Sequence, residues 1–364
     1  MQVRMQKTAV QLGDMYYKKA IIKKFGSARQ IAVVTDDPLP EPSTGEVRIR
    51  VEAATVSNTD TLIRKGIYPL LNVKPPFTLG YDFVGVVDKL GSGVTRFSVG
   101  DRVGDICQIG GNAQIICRHE NSLLRVPNDI TCTDAACTIL SGMTAYQIFK
   151  HWAEVKAGDT FLVHGGSGAV GSTLLQLCAI HGVKAVTTAS TAKHAGIRKW
   201  GAMAVDYNQQ NYFDDLKKAA PGGYDAALDF TNHKSFNHTF ALVKKGGIMV
   251  CCAVLTQAKK IQQKTFFNFM GFGLGFGWMM LKLAYWNKFS GKTAKFFGIV
   301  DSKKNFPKRY QSDLDELFEL IRLGKLKPQI HLTISLNEVA IAHQLIDDGK
   351  VQGQIVIKHE QVVS

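Results

Sequence analysis

The segment that most restricts how this chain can fold is Phe161-Leu162-Val163-His164-Gly165-Gly166-Ser167-Gly168-Ala169-Val170-Gly171. An apolar strand runs into a glycine-dense turn, and the turn runs into a helix beginning near Ser167, whose Leu174, Leu175, Leu177 and Cys178 keep helical spacing. Gly166, Gly168 and Gly171 satisfy the G-x-G-x-x-G spacing of a dinucleotide-binding turn. Small residues let the backbone approach a pyrophosphate, and the helix N-terminus offers unpaired N–H groups and partial positive charge to hold it. The same spacing also serves a tight strand-to-helix turn with no ligand. The strand before, the helix after and the repeated strand–helix units beyond favour cofactor binding.

A site specific for NAD places Asp or Glu about 20 residues beyond the turn, on the ribose 2′-hydroxyl. Reading onward from Gly171, no acid occurs before Asp206. The second strand ends instead in Thr187-Thr188-Ala189-Ser190-Thr191-Ala192-Lys193-His194. Hydroxyls and a lysine suit a 2′-phosphate, so NADPH is expected over NADH. The alternative is that Lys193 is only a solvated lysine at a helix start.

From Thr138 the pattern is strand, turn, helix, repeated, with candidate strands at Thr160–His164, Ala185–Thr188, Met203–Asp206, Ala226–Phe230, Ile248–Cys252 and Lys295–Val300. That alternation calls for a parallel sheet with crossover helices. Between Lys19 and Cys137 the chain carries short β-branched runs cut by Gly, Pro and Asp turns, which read as a β-rich, barrel-like unit. The tail, from an acid-capped helix over Ser312–Leu323 to a strand over Gln354–Lys358, reads as β-rich again and suited to rejoin the first unit.

At 364 residues, with 45% hydrophobic and 20% charged residues, the chain is long enough for a substantial core, and disorder, collagen and disulfide miniproteins are excluded. Forty-four Lys and Arg against 30 Asp and Glu give a formal charge of +14, which suits an anionic partner and equally serves solubility. No basic and aromatic reading element stands out, so nucleic acid is not expected as a partner. The seven cysteines form no pair with a two-residue gap, which points to reduced thiols and an intracellular compartment. The opening MQVRMQKTAVQLG lacks the serine and arginine richness of a mitochondrial presequence. The cytoplasm is therefore favoured, with mitochondrial or membrane-associated placement as alternatives.

The order of motifs resembles the medium-chain dehydrogenase/reductase superfamily, in particular its zinc-independent quinone oxidoreductase-like branch. The landmarks are Glu52 to Asp60 followed by Ile63 to Pro69, Leu79 to Val87, Val99 to Val103, Ser141 to Tyr146, the glycine turn, and Gly324 to Pro328. The resemblance implies an α/β fold in which a GroES-like β-barrel catalytic domain (1–137 and 305–364) is split by a Rossmann doubly wound parallel-sheet domain (138–304) with an apolar insertion at 265–290. It implies Thr144 near the nicotinamide, Gly166, Ser167, Gly168, Ala169, Val170 and Gly171 near the pyrophosphate, Ser190, Lys193 and Tyr207 near the adenosine phosphate, and Ala253, Val254 and Leu255 along the nicotinamide end.

Zinc-dependent relatives carry a cysteine, a histidine and a glutamate where this chain has Ser57, Tyr81 and Asp82. A hydroxyl pair is a poor zinc site, and the four-cysteine structural lobe has no counterpart, so no metal is expected. What remains is hydride transfer from NADPH to an enone, enoyl compound or quinone. Tyr68 matches the position of the proton-donating tyrosine of enoyl-thioester reductases; it also reads simply as a packed loop tyrosine beside Pro69. Either Ser57 or Asn58 is expected to hydrogen-bond the substrate. The alternative is a non-catalytic descendant that binds NADPH and a lipid or protein partner.

Thr265 to Leu281 is a charge-free run bounded by Lys264 and Lys282, and Gly271, Gly273, Gly275 and Gly277 argue against a stable lone helix there. An apolar wall over the substrate cleft is the leading reading. A homodimer-packing segment and a peripheral membrane contact flanked by lysines are the others.

Overall fold

The computed structural model of the protein describes residues 16–36, 38–68, 70–230, 235–252 and 266–360, with side chains in the last of these segments described from residue 275. Its N-terminal part contains strands β1 (Tyr17–Ile22), β2 (Ile31–Asp36), β3 (Glu46–Val56), β4 (Phe77–Thr78), β5 (Asp82–Leu90), β6 (Arg102–Ile106), β7 (Ile115–His119) and β8 (Leu124–Arg125), and helix α1 (Asn58–Arg64). In β3, Val47, Ile49 and Val51 are buried while Glu46, Arg48 and Arg50 between them are not, the two-residue period of a strand with one face on a core. That core is closed by Phe83, Val87, Phe97 and Val103. A continuous helical stretch, α2 (residues 132–152), includes two π-type turns at Thr138–Gly142 and Ile148–Trp152 and leads into the second unit.

The second unit is a six-stranded parallel sheet of β9 (Thr160–His164), β10 (Lys184–Thr188), β11 (Met203–Val205), β12 (Tyr224–Asp229), β13 (Val243–Cys251) and β14 (Thr293–Phe296), in the order β11-β10-β9-β12-β13-β14. Helices α3 (Ala169–Ile180), α4 (His194–Arg198), α5 (Tyr212–Ala219), α6 (Ser235–Leu242) and α7 (Phe266–Phe289) accompany it. Strand order reverses around β9, which has β10 on one side and β12 on the other. A doubly wound sheet opens its ligand crevice at such a point, above the carboxyl end of the strand.

β14 begins and ends earlier than the expected Lys295–Val300. Its pairing runs from Ile248 opposite Thr293 to Cys251 opposite Phe296, where β13 itself stops. The chain then turns at Gly298 into α8 (Ile299–Asn305), followed by α9 (Pro307–Arg322) and α10 (Val339–Asp347). The tail strands β15 (Ile330–Ile334) and β16 (Gln354–Lys358) rejoin the first unit, as expected, in a seven-stranded sheet ordered β15-β16-β3-β5-β6-β8, with β7 also paired to β3. Ile355, Val356 and Ile357 lie opposite Val56, Thr55 and Ala54. β1, β2 and β4 form a separate three-stranded sheet.

The glycines of the apolar run argue against a stable lone helix, and α7, which spans 24 residues, is not alone. Packing supplies what propensity lacks. Met279 and Leu283 are buried, the Trp286 ring stacks on Phe240 at 4.1 Å, and Phe276 meets Phe296 edge-on at 5.3 Å. The opposite side leaves Trp278, Leu281, Tyr285 and Phe289 between 62% and 70% exposed. Among the described residues no helix is long and apolar enough to cross a membrane.

Candidate active site

The glycine turn is pinned to the end of β10. Gly165, in the left-handed region at φ 73°, donates its N–H to the Thr188 carbonyl at 3.1 Å. Gly166 N–H donates to Thr187 Oγ1 at 2.9 Å, and that hydroxyl donates to the Val163 carbonyl at 2.5 Å. A Cβ on Gly166 would collide with Thr187 Oγ1, and one on Gly171 with the Gly165 carbonyl, so both glycines are required by close approach inside the turn. Gly168 differs. A Cβ there would meet only the Gly165 carbonyl, at 3.5 Å, and the position is open.

α3 starts at Ala169, two residues later than the sequence suggested, with Gly168 as its extended N-cap and no side chain capping it. The first N–H groups of a helix have no intrahelical acceptor. Those of Ala169, Val170 and Gly171 therefore face the open side of Gly168, which is the geometry a pyrophosphate needs, and the cradle fits a dinucleotide. At its floor, His164 is buried and bridges elements. Nδ1 lies 3.1 Å from Thr188 Oγ1 and Nε2 3.0 Å from Thr239 Oγ1, while Thr239 donates to Asp229 at 2.7 Å. Burial lowers its pKa, so it remains a neutral tie between β9, β10 and α6.

The tail of the first unit crosses this turn, a feature the sequence reading did not include. Gly353 N–H donates to the Ser167 carbonyl at 2.9 Å, and Gly353 forms a bridge with Gly168. The one sequence signal was Gly353 itself, which takes φ 88°. Lys193 is drawn to the same segment: its Nζ donates to the carbonyls of Val351 at 3.0 Å and Gly349 at 3.2 Å. It is thus neither simply solvated nor free for a phosphate in this arrangement. Ser190 is half-buried and Tyr207 exposed. Asp206, which sequence distance set apart from the second strand, is folded back onto it and accepts the Thr191 N–H at 3.2 Å and the Thr191 hydroxyl; these bonds and those to Asn208 hold its pKa low. A carboxylate therefore does stand near the end of β10. Thr144 is the single residue between Ala135 and Phe149 that is not buried, so in the middle of α2 it is the one side chain with access to open space. Ala253, Val254 and Leu255 lie outside the described residues.

On the catalytic side, Ser57 caps α1. Its hydroxyl donates to Asp60 Oδ2 at 2.6 Å and accepts the Asp60 N–H at 3.3 Å, so its polar capacity is largely used within the helix end. Asn58, at the first helical position, is exposed. Tyr68 and Tyr81 are both buried, 6% and 2% exposed, with hydroxyls 3.0 Å apart and rings edge to face at 6.1 Å. Both belong to the apolar cluster that continues through Cys137, Ile139, Leu140 and Met143 of α2, which connects them to the helix bearing Thr144. Tyr68 also borders an apolar hollow lined by Phe25, Ile63, Leu71 and Val73.

Asp82 accepts from Thr55 N–H at 2.8 Å and Thr55 Oγ1 at 2.6 Å, and burial pushes its pKa up to about 7; the neighbouring Asp60 is pushed up to about 6 for the same reason. The three positions that hold zinc ligands in metal-dependent relatives thus carry a capping serine, a phenol paired with a phenol and a carboxyl bound to a threonine. These groups do not fit zinc. Among the described residues no three His, Cys, Asp or Glu side chains gather into a group that could hold a metal ion.

Comparison with known proteins agrees with this architecture. Residues 43–163 match the alcohol dehydrogenase GroES-like domain, and residues 200–357 match the family described as zinc-binding dehydrogenase. The chain is 30% identical over 248 residues to the quinone oxidoreductase of Rattus norvegicus, covering 66% of this chain and 74% of that one. It is 26% identical over 360 residues to the synaptic vesicle membrane protein VAT-1 homolog-like of Mus musculus, covering 96% and 83%. The solved structure of mycobacterial Rv1454c complexed with NADPH superimposes with a TM-score of 0.77 at 26% identity, covering 94% of this chain and 99% of that one. With fold, strand order and glycine turn in agreement, the chain belongs to the quinone oxidoreductase-like branch of the medium-chain dehydrogenase/reductase superfamily, a family of oxidoreductases.

Proposed function

We propose that the protein is an NADPH-dependent, zinc-independent reductase of an apolar enone, enoyl compound or quinone. The observation that carries this reading is the pairing of an open dinucleotide cradle at the switch point with a buried phenol, Tyr68, in place of a metal centre. The N–H groups at the start of α3 would hold the pyrophosphate and Thr144 would lie along the nicotinamide. NADPH, when bound, supplies a hydride to the β-carbon of the substrate. Tyr68 then gives its hydroxyl proton to the α-carbon, and the apolar hollow beside it, lined by Phe25, Ile63, Leu71 and Val73, would exclude water and receive the apolar part of the substrate.

The missing carboxylate between Gly171 and Asp206 favours the 2′-phosphate, and the NADPH complex of the mycobacterial relative agrees with it. Against it stand the Asp206 carboxylate, which the fold returns to the end of β10, and the Lys193 bonds to Gly349 and Val351, which must open for that lysine to reach a phosphate. A thermal-shift comparison decides between them. NADPH is expected to raise the melting temperature more than NADH, and Lys193→Glu to narrow or reverse the difference; equal shifts with the unmutated protein would refute the 2′-phosphate argument.

Turnover is tested by NADPH oxidation against 2-alkenals, 2-enoyl thioesters and quinones, with and without chelator. At least one class is expected to be reduced, with chelator harmless and elemental analysis finding no stoichiometric zinc. A second reading, a member that binds NADPH without catalysis and works at a membrane, is favoured by the exposed Trp278, Leu281, Tyr285 and Phe289 of α7 and by the vesicle-protein relative. NADPH binding without turnover of any panel member, together with sedimentation on anionic liposomes, would select it.

A further inference from the structure

We propose that Gln352 is a cofactor-specificity residue supplied across the boundary between the two units, its carboxamide donating to the 2′-phosphate of NADPH beside Lys193. This deepens the reading of the protein as NADPH-dependent and rests on it.

Residues 349–353 form a strap that leaves α10 and crosses the glycine turn before the chain enters β16. The strap is fastened at both ends. At its start Asp347 accepts from the guanidinium of Arg64, a fully buried side chain of α1, and from the ammonium of Lys65. At its end the Gln354 N–H donates to the Gln329 carbonyl at 2.8 Å, and the Gln354 side chain donates to the Cys137 carbonyl of α2 at 3.2 Å. Gly353 makes the bend between them. It takes φ 88°, and a Cβ there would stand 2.1 Å from the Gln329 carbonyl, so glycine is what brings this N–H onto Ser167. Held at both ends, the strap presets its side chains, and preset donors lose little freedom on binding.

Gln352 stands on the strap between the two ends of the candidate nucleotide site. Gly353 after it bridges Gly168 in the pyrophosphate turn, and Val351 before it accepts from Lys193 beyond the exit of β10. The adenosine ribose of a dinucleotide belongs between those two points. The Gln352 side chain lies over Gly196 of α4, where a Cβ would stand 2.2 Å from its Nε2. The absence of a side chain at 196, three residues beyond Lys193, is therefore what lets the carboxamide lie there.

The donor count supports the assignment. Lys193 gives two of its three N–H donors to the Gly349 and Val351 carbonyls. A phosphate presents three strong acceptor oxygens, more than this lysine has donors left to serve. Gln352 is half-buried, and among the described residues its carboxamide has no hydrogen-bond partner, so its N–H groups are open to a ligand. A hydrogen bond to an anion is stronger than one to a neutral hydroxyl, so the contact favours the 2′-phosphate over the 2′-hydroxyl of NADH.

The test titrates the full-length protein with NADPH and with NADH and records the melting temperature of each variant without ligand. Wild type is expected to bind NADPH more tightly. Gln352→Leu keeps the bulk and removes the donor; it is expected to weaken NADPH by about tenfold, the loss of one hydrogen bond to a charged group, to hold NADH within about twofold and to melt as wild type does. Gln352→Glu sets a carboxylate against the phosphate and is expected to weaken NADPH by roughly 100-fold. Gly196→Ala serves where Gln352→Leu fails to fold: alanine suits the helix, its methyl displaces the carboxamide, and NADPH is expected to weaken by about threefold with NADH unchanged. Gln352→Leu that weakens both cofactors equally, or neither, overturns the role of Gln352, while a preference still narrowed by Lys193→Glu leaves the 2′-phosphate reading standing. Wild-type protein that binds the two cofactors equally removes that reading, and this inference with it.

Discussion

Gly168→Asp is expected to leave the fold intact and to weaken NADPH binding by roughly 100-fold or more, equivalent to a loss of at least about 2.7 kcal/mol. Position 168 has φ −79° and ψ 178°, an extended conformation open to any residue, and space for a Cβ. Aspartate is also a favoured N-cap, so α3 gains a capping bond and the unliganded protein melts no lower than wild type. The added carboxylate occupies the ground in front of the first α3 N–H groups, where it excludes and repels a pyrophosphate. Gly166→Ala is the contrast. Its Cβ would displace Thr187 Oγ1, which accepts the Gly166 N–H and bonds Val163, so stability and binding fall together. Melting temperature without ligand and an NADPH titration separate the two cases. A Gly168→Asp protein that binds NADPH as wild type does would show that the crevice above β9 is not the cofactor site.

Tyr68→Phe carries the second large effect. Removing a positioned general acid is expected to lower turnover of enoyl substrates by roughly 10²-fold. The phenyl ring still fills the space beside Ile63 and Leu71, so the protein should fold and melt near wild type. NADPH affinity should hardly change, because Tyr68 belongs to the first unit and the pyrophosphate cradle to the second. Single-turnover kinetics with the cofactor bound in advance distinguish a lost chemical step from lost binding. Unaltered turnover would transfer the α-proton to water and leave Tyr68 as a packed core tyrosine.

Glycine 171 illustrates how far a one-dimensional reading reaches. Spacing identifies it as the third glycine of a turn, and close packing of α3 on Gly165 is the reason for that spacing. Lys193 illustrates where it stops. A lysine after the second strand suits a 2′-phosphate by composition, yet its Nζ is held by carbonyls more than 150 residues along the chain. Asp206 is the converse: too far along the sequence to count as a partner of the second strand, it is returned to Thr191 by the parallel pairing of β10 with β11. The apolar run shows a third limit. Helix propensity weighs a residue against solvent, whereas α7 is held by Phe240 and Phe296, residues from other elements that no local pattern could anticipate.

By itself the sequence determined the order of the elements, the strand–glycine–helix turn and the return of the tail strand, because these depend on periodicity and on backbone freedom, which are local properties. Only the tertiary structure decided which groups meet. It set Tyr81 against Tyr68, laid Gly353 over the glycine turn, engaged Ser57 in a helix cap and turned one face of α7 outward. Those contacts join residues far apart in the chain, and their distances follow from sheet register and helix packing, quantities that exist only once the chain has closed on itself.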